Sequence, residues 1–129
     1  MPFRGTIQGV EISTVEFPLL FVDGTGSGNA SHLGRFTLTY ELEVDLLIHD
    51  TSGSAVFTAA NGDSLFTDIV GLGTSLGDFA SIVETHTITG GTGRFEGASG
   101  SFIRTYMLNL VTGVTTGRFE GTIILDKGK

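Results

Sequence analysis

Residues 35–52, the longest stretch of the chain without glycine, constrain the fold more than any other segment. Apolar or aromatic side chains occupy every second position of Phe36–Ile48, and up to Asp45 the positions between them are threonine or carboxylate. A helix would place Thr39 and Glu43 on its apolar face, so a period of two fits better than a period of 3.6. The segment is therefore predicted to be a β-strand with one dry and one wet face.

The length of this predicted strand limits what the sheet around it can be. Its thirteen alternating residues would extend roughly 43 Å at about 3.3 Å per residue, which is longer than an ordinary strand. A strand of that length has to bend, coil around a barrel or contain a bulge.

The rest of the chain repeats the pattern in shorter segments. Strands are predicted near residues 3–13, 17–24, 28–49, 54–60, 64–72, 79–89, 99–110 and 117–125. The predicted breaks contain dipeptides that are typical of turns, namely Asp23-Gly24, Ser52-Gly53, Asn61-Gly62, Gly77-Asp78, Gly90-Gly91 and Thr112-Gly113. Asn61-Gly62 is the strongest hairpin signal, because this dipeptide suits a two-residue type I′ turn.

Eight strands with short connections, and no predicted helix to cover a sheet, leave either a sandwich or a barrel. Hairpins in sequence order favour an up-and-down meander, which has two unpaired edges unless it closes on itself. The prediction is an all-β chain, one domain over residues 1–129, folded as a closed antiparallel eight-stranded up-and-down barrel. The interior of such a barrel is just wide enough to be filled by side chains or to hold one small ligand.

Charge and composition argue against several kinds of partner. Fourteen acidic and seven basic residues give a formal charge of −7, and the basic residues form no run. Nucleic acids and anionic membranes are therefore not expected partners. The chain has no cysteine, which excludes disulfides and thiolate chemistry. The sequence as written has no signal peptide and no apolar stretch long enough to span a membrane, so it predicts a cytoplasmic protein. If a signal peptide has been removed from a longer precursor, the protein is expected to be secreted.

The hexapeptide Thr-Gly-Arg-Phe-Glu-Gly occurs twice, at Thr92–Gly97 and Thr116–Gly121. We expect a structural role for both copies. The first glycine would end a turn with positive φ, the phenylalanine would plug an end of the core, and the last glycine would allow a bend or a close approach of the backbone. In each copy the arginine and the glutamate are expected to share a strand face as an exposed pair.

The glycine-rich run Ile88–Phe102, which contains the first copy, resembles the signature of the allene oxide cyclase-like barrels. This superfamily includes the dirigent proteins of plants and, more remotely, bacterial spirotetronate cyclases. The segments Gly28–Phe36 and Phe57–Asp63 are similar to uncharacterised bacterial members. The resemblance implies a calycin-like, eight-stranded barrel with a mostly apolar cavity, assembled as a homodimer or homotrimer. Members with known activity guide a cyclisation or coupling of an apolar substrate by shape and without a metal. The shared motif does not identify any catalytic residue in this chain.

Two pairs of polar residues in apolar segments are candidate catalytic residues. Glu84 and His86 are two residues apart and share a strand face, so the carboxylate would tune the imidazole as a base if that face points inward. If the face points outward, both are solvated. Arg104 and Tyr106 also share a face. A buried Arg104 needs either a ligand anion or an acidic partner, for which Glu84 is the candidate, and otherwise it forms a salt bridge at the barrel mouth or at an interface.

Tyr40 is the fifth candidate catalytic residue, because it lies in the middle of the apolar face of the longest strand. Its ring either packs in the core or turns its hydroxyl toward a cavity. The apolar residues on these faces are predicted to bind the ligand, namely Phe36, Leu38, Leu42, Phe102 and Leu108. No metal site and no cofactor are predicted, since His32, His49 and His86 lack the spacing of zinc ligands.

These observations lead to one function hypothesis and one alternative. In the first, the barrel binds a small hydrophobic molecule in its cavity, and in its enzymatic form it is a metal-independent cyclase or isomerase that shapes a reactive substrate. The alternative is a non-catalytic structural or protein-interaction module that assembles through exposed strand faces. Cavity volume separates the two, because a barrel filled by side chains has no room for a ligand.

Overall fold

The computed structural model describes residues 1–126, which form a closed antiparallel barrel of eight strands in sequence order. The strands are β1 (Pro2–Glu16), β2 (Leu19–Ala30), β3 (Gly34–Asp45), β4 (Asp50–Ala59), β5 (Ser64–Leu76), β6 (Phe79–Gly91), β7 (Ser99–Asn109) and β8 (Val114–Ile124). One turn of 3-10 helix, Gly93–Phe95, connects β6 to β7. Pairing of β1 with β8 closes the sheet and removes its edges. The predicted fold class is confirmed.

The strand boundaries differ from the prediction most clearly at the predicted strand 28–49. The chain turns after β2, where His32 and Gly34 have φ of 66° and 65°, and β3 ends at Asp45. Ile48 is therefore in a turn, and its side chain is exposed. The alternating pattern is correct for β3 itself, whose buried side chains are Phe36, Leu38, Tyr40 and Leu42.

Two of the predicted turns lie inside strands. Asp23-Gly24 belongs to β2 and Ser52-Gly53 belongs to β4, whereas Asn61-Gly62, Gly77-Asp78 and Thr112-Gly113 are in connections between strands as predicted. Gly90-Gly91 ends β6.

Glycine is needed inside these strands because it leaves room for large inward-facing side chains. Gly24 is the register partner of Tyr40, and a Cβ atom at position 24 would lie 2.0 Å from Cζ of the tyrosine. Gly117 is the partner of Tyr106, and a Cβ atom there would lie 2.5 Å from Cβ of that tyrosine. A barrel of eight strands is narrow, so glycine on one strand allows an aromatic ring on the next to fill the interior.

The two copies of the repeated hexapeptide have different structures. Thr92–Gly97 contains the 3-10 turn, with Gly93 at a φ of +56°, whereas Thr116–Gly121 lies within β8. Both phenylalanines are buried, as predicted, Phe95 at 0% and Phe119 at 1% exposure. The expected positive φ at the second position is therefore correct for the first copy and wrong for the second.

Arg94 does not share a strand face with Glu96, because the first copy is not a strand. Its guanidinium donates a hydrogen bond to the carbonyl oxygen of His32 at 2.7 Å and lies 3.7 Å from a carboxylate oxygen of Asp63. Arg94 thus links the β6–β7 loop to the neighbouring β2–β3 and β4–β5 loops.

Aromatic rings fill one end of the interior, which we call the closed end. It lies on the side of the β2–β3, β4–β5 and β6–β7 connections and contains the rings of Phe3, Phe36, Phe57, Phe95, Phe102 and Phe119. Ring centroids of the paired phenylalanines are 4.9–6.2 Å apart, in tilted or edge-to-face contact. The opposite side, with the β1–β2, β3–β4, β5–β6 and β7–β8 connections, is the open end. Within residues 1–126 no helix has the length and apolar character needed to cross a membrane.

Candidate functional site

A layer of buried polar side chains crosses the middle of the barrel, between the closed and open ends. This polar layer consists of Glu11, Tyr40, Thr67, Glu84, His86, Arg104, Tyr106 and Thr115, none of them more than 8% exposed. Strand alternation places each of them on the inner face. The five side chains that the sequence suggested as catalytic are all in this layer, although they come from three different strands.

Glu84 and His86 on β6 contact each other directly. The imidazole Nε2 lies 3.0 Å from Oε1 of Glu84, and Nδ1 lies 2.8 Å from the hydroxyl of Thr67 on β5. Burial lowers the pKa of His86; the carboxylate of Glu84 opposes this effect, and the charge of Arg104 adds to it. The imidazole is therefore neutral near pH 7, with Nε2–H donating to Glu84 and Nδ1 accepting from Thr67. Its ring stacks on Phe102 with the centroids 4.7 Å apart.

Arg104 on β7 lies between two tyrosine rings. Its Cζ atom is 3.8 Å from the ring centroid of Tyr106 and 4.8 Å from that of Tyr40. The nearest carboxylate contact joins Nη1 to Oε1 of Glu84 at 3.5 Å. None of the three side-chain nitrogens has a hydrogen bond of good geometry among the described residues. The contact of the guanidinium with Tyr40 is a cation–π contact with its ring.

Glu84 and Arg104 stabilise each other as an ion pair. Burial disfavours the charge of both groups, but the hydrogen bond from His86 and the charge of Arg104 keep the pKa of Glu84 below its usual value. The Glu84 charge in turn raises the pKa of Arg104 despite its burial. The acidic partner that the sequence suggested for Arg104 is therefore the one found in the structure.

Two phenol groups converge on Glu11 of β1. The hydroxyl of Tyr40 donates to Oε2 of Glu11 at 2.6 Å, and the hydroxyl of Tyr106 donates to the same oxygen at 2.7 Å. Tyr106 is also 3.1 Å from Oε2 of Glu84. Burial raises the pKa of both tyrosines, and the nearby carboxylates raise it further while Arg104 opposes this. Both phenols therefore stay protonated and act as hydrogen-bond donors.

Above the polar layer the interior is not filled. A cavity of about 260 Å³ extends to the open end, and Glu11 and Tyr106 are the two members of the polar layer that line it. Most of its wall is aliphatic, formed by Leu20, Val22, Leu42, Val44, Ile82, Leu108 and Leu110. Ser13, His49, Thr51 and Ser75 add polar groups to the wall. An apolar pocket with a few polar groups at one position is the usual form of a small-molecule site.

The structure separates the sequence-predicted site residues into two groups. Tyr106, Leu42 and Leu108 line the cavity. Tyr40, Glu84, His86 and Arg104 lie beneath it in the polar layer, from which they can position Glu11 and Tyr106 but do not reach a molecule in the cavity. The remaining predicted ligand-binding residues, Phe36, Leu38 and Phe102, belong to the packed core rather than to the cavity wall.

Sequence reasoning missed Glu11, which is the central acceptor of the site. Its neighbours Val10 and Ile12 are apolar, which points to Glu11 as the outward-facing residue, yet the two are 43% and 71% exposed while Glu11 is 8% exposed. Phe3 and Ile7 offer a signal that could have shown this, because they share a strand face with Glu11 and both are buried.

Other depressions are wider but lie on the outside of the barrel. One of them, of about 710 Å³, is an open groove along the outer faces of β3 to β6, where Glu43, Val70 and Thr85 line it. Of the histidines and carboxylates in residues 1–126, no three come together in a way that would hold a metal ion. The cavity at the open end is therefore the place where an interior space and buried polar groups coincide.

Comparisons with known proteins do not extend this description. No protein-family model matches the chain. No curated protein matches it in sequence, and no solved structure matches it. The resemblance to the allene oxide cyclase-like barrels stays a prediction from the glycine-rich motif, and a function has to be argued from the site itself.

Proposed function

We propose that the barrel binds a small, mostly apolar molecule at its open end and holds the polar group of that molecule against Glu11 and Tyr106. The observation that carries this proposal is the unfilled volume of about 260 Å³ that ends on a buried polar layer. An apolar cavity of about 150 Å³ is enough to bind benzene, so this one accommodates a molecule somewhat larger than a single aromatic ring.

The enzymatic form of this proposal is a metal-independent cyclase or isomerase. Aliphatic walls would hold the substrate in one conformation, which can lower a barrier by pre-arranging the reacting atoms. The hydroxyl oxygen of Tyr106 would accept a hydrogen bond from the polar group of the ligand, because its own hydrogen is donated to Glu11. Glu11 would accept a proton from the substrate. Arg104 and Glu84 would act as positioning residues, since they touch Tyr106 and not the cavity.

The alternative function, a non-catalytic module that assembles into a homodimer or homotrimer, has one observation in its favour. Apolar side chains form a patch on the outer face of β5, β6 and β7, where they are 39–61% exposed, namely Val70, Leu72, Val83, Ile103 and Met107. Neighbouring strands carry these residues close together, as the pairing of Leu72 with Val83 shows. Exposed apolar patches are typical of protein contacts.

Titration with a simple apolar alcohol tests ligand binding. We expect cyclohexanemethanol to shift the backbone amide resonances of Leu20, Val44 and Leu108 at the open end, and to leave those of the closed end unchanged. Gly73→Leu should abolish the shifts. A Cβ atom at position 73 meets no heavy atom closer than 3.5 Å, so the new side chain enters the cavity without displacing the backbone.

Thr74→Leu is the matched control, because the adjacent residue faces outward on the same strand and is exposed. It adds the same side chain outside the barrel and should leave the shifts intact. Shifts that persist in Gly73→Leu would overturn the proposal. A wild-type protein that binds no apolar probe, and whose sedimentation shows an oligomer that Val83→Lys dissociates, would support the assembly module in its place.

A further inference from the structure

The polar layer carries more negative than positive charge. Glu11 and Glu84 contribute two carboxyl groups and Arg104 one guanidinium. Burial lowers the pKa of His86 and so leaves its imidazole neutral. Oε2 of Glu11 accepts hydrogen bonds from two phenols, and hydrogen bonds donated to a carboxylate favour its charged form. The layer therefore holds one negative charge that no buried cation within residues 1–126 balances.

On the cavity side of the layer the two carboxylates share one hydroxyl hydrogen, because the donors of the layer that are unpaired among the described residues, those of Arg104 and Thr115, do not line the cavity. Tyr106 has a single hydroxyl hydrogen, but its oxygen lies 2.7 Å from Oε2 of Glu11 and 3.1 Å from Oε2 of Glu84. One hydrogen atom cannot serve both contacts at full strength, so the two carboxylates compete for it. A further donor could relieve this competition only at Glu11, because this is the carboxylate that lines the cavity.

The positive charge of Arg104 is not available to a ligand. The guanidinium is covered by the rings of Tyr40 and Tyr106, its side chain is 1% exposed, and it does not line the cavity. An anion that entered from the open end would meet Glu11 and would add a second unbalanced negative charge to a buried layer. Burying such a charge without a partner is costly.

We propose, on the basis of the function proposed above, that the molecule bound in this cavity carries a hydrogen-bond-donating head group, and that a protonated primary amine on an apolar body is the preferred class. An ammonium group donates to Glu11 and supplies the missing positive charge. An alcohol supplies a donor without the charge, and a carboxylate supplies neither. Charge-assisted hydrogen bonds are roughly twice as strong as neutral ones.

Three probes with the same ring test this order, namely cyclohexylmethylamine, cyclohexanemethanol and cyclohexanecarboxylate, each titrated into the full chain at pH 7 by calorimetry. We expect the ammonium ion to bind about tenfold more tightly than the alcohol, and the carboxylate to show no measurable binding. Equal or tighter binding of the alcohol or the carboxylate would overturn the inference and leave the proposed function standing. If none of the three probes binds, the proposed function fails as well.

Glu11→Gln tests whether this carboxylate is the source of the preference. Glutamine keeps the shape and one acceptor oxygen for the two tyrosines, so the ammonium and the alcohol should now bind within about threefold of each other. Glu43→Gln is the matched control: it removes the same charge from an exposed position on the outer face of β3, and the tenfold preference should remain. Loss of the preference in Glu43→Gln would show that it comes from the overall charge of −7, which contradicts the inference.

Discussion

The closed end and the open end of the barrel are built from the same strands but have different contents. β3 contributes Phe36 to the closed end and Leu42 to the open end, and β7 contributes Phe102 and Leu108 in the same way. The 3-10 turn adds Phe95, with 0% exposure, over the closed end. Aromatic rings and this added residue fill one end of a tube that aliphatic side chains leave partly empty at the other.

The difference shows that side-chain volume, and not the backbone, decides where this barrel has a cavity. An eight-stranded barrel is close to the limit at which its interior can be filled. Protein interiors are close-packed, so the closed end has the character of a core and the open end that of a binding site. The polar layer lies where the two meet, and its ion pair is buried at 0% and 1% exposure.

The largest expected effect comes from truncating matched residues at the two ends. Phe102→Ala should lower the free energy of unfolding by about 3–5 kcal/mol, because it removes a ring that contacts Phe3, Phe57 and Phe119. Leu108→Ala at the half-buried cavity wall should cost about 1 kcal/mol. Urea unfolding of both variants, with Phe102→Leu in case the alanine variant does not fold, gives the comparison. Equal losses would mean that the open end is packed as tightly as the closed end.

Adding a methyl group gives a smaller effect of the same kind. Gly24→Ala would push a Cβ atom into the buried ring of Tyr40, and overpacking of this kind costs about 1–3 kcal/mol. Gly73→Ala places its methyl group at ordinary contact distance in the cavity and should stabilise the protein by up to about 1 kcal/mol, because alanine restricts the unfolded chain more than glycine does. Thermal unfolding of both variants checks this. A loss in Gly73→Ala as large as that in Gly24→Ala would contradict a cavity at the open end.

The sequence was sufficient for the barrel but not for the orientation of every strand. Alternation in β3 correctly assigned Phe36 and Tyr40 to the interior. In β1 the same rule is ambiguous, because Phe3 and Ile7 lie on one face and Val10 and Ile12 on the other, and it is the first face that is buried. Alternation tells which side chains share a face, and closure of the whole sheet decides which face points inward. For this reason the shared face of Glu84 and His86 was predictable, whereas its burial was not.

Glycine and the hexapeptide show a second limit of sequence reasoning. Glycine marks a turn at Gly62 and makes room for a ring at Gly24, and the local sequence does not tell the two apart. The six residues that form a turn over Thr92–Gly97 form a strand over Thr116–Gly121. The flanking residues differ between the two copies, and so do the pairing partners, since β8 pairs with both β1 and β7 along its length. Contacts distant in sequence therefore override local preference.

The smallest expected effect is a pH dependence that arises at the boundary between the two ends. Burial lowers the pKa of His86 from its ordinary value of 6.5, and Arg104 adds to this while Glu84 opposes it. Below pH 6.5 the unfolded chain binds a proton at this histidine that the folded chain does not, so stability falls as the pH falls.

Between pH 7.5 and pH 6 the loss attributable to His86 should reach at most about 0.8 kcal/mol. Glu84 does not contribute to this decline. Its pKa in the folded protein is lowered from an ordinary 4.5, so its protonation reduces stability only at a pH below this window. Urea unfolding at the two pH values should show the decline in the wild type and in His49→Asn, which changes an exposed histidine with a φ of 62° that asparagine tolerates. His86→Gln should flatten it. A decline that His86→Gln leaves unchanged would mean that another group causes it and that folding does not lower the pKa of His86. A neutral imidazole could then no longer be assumed when the charges of the polar layer are counted, and the preference for an amine would lose one of its grounds.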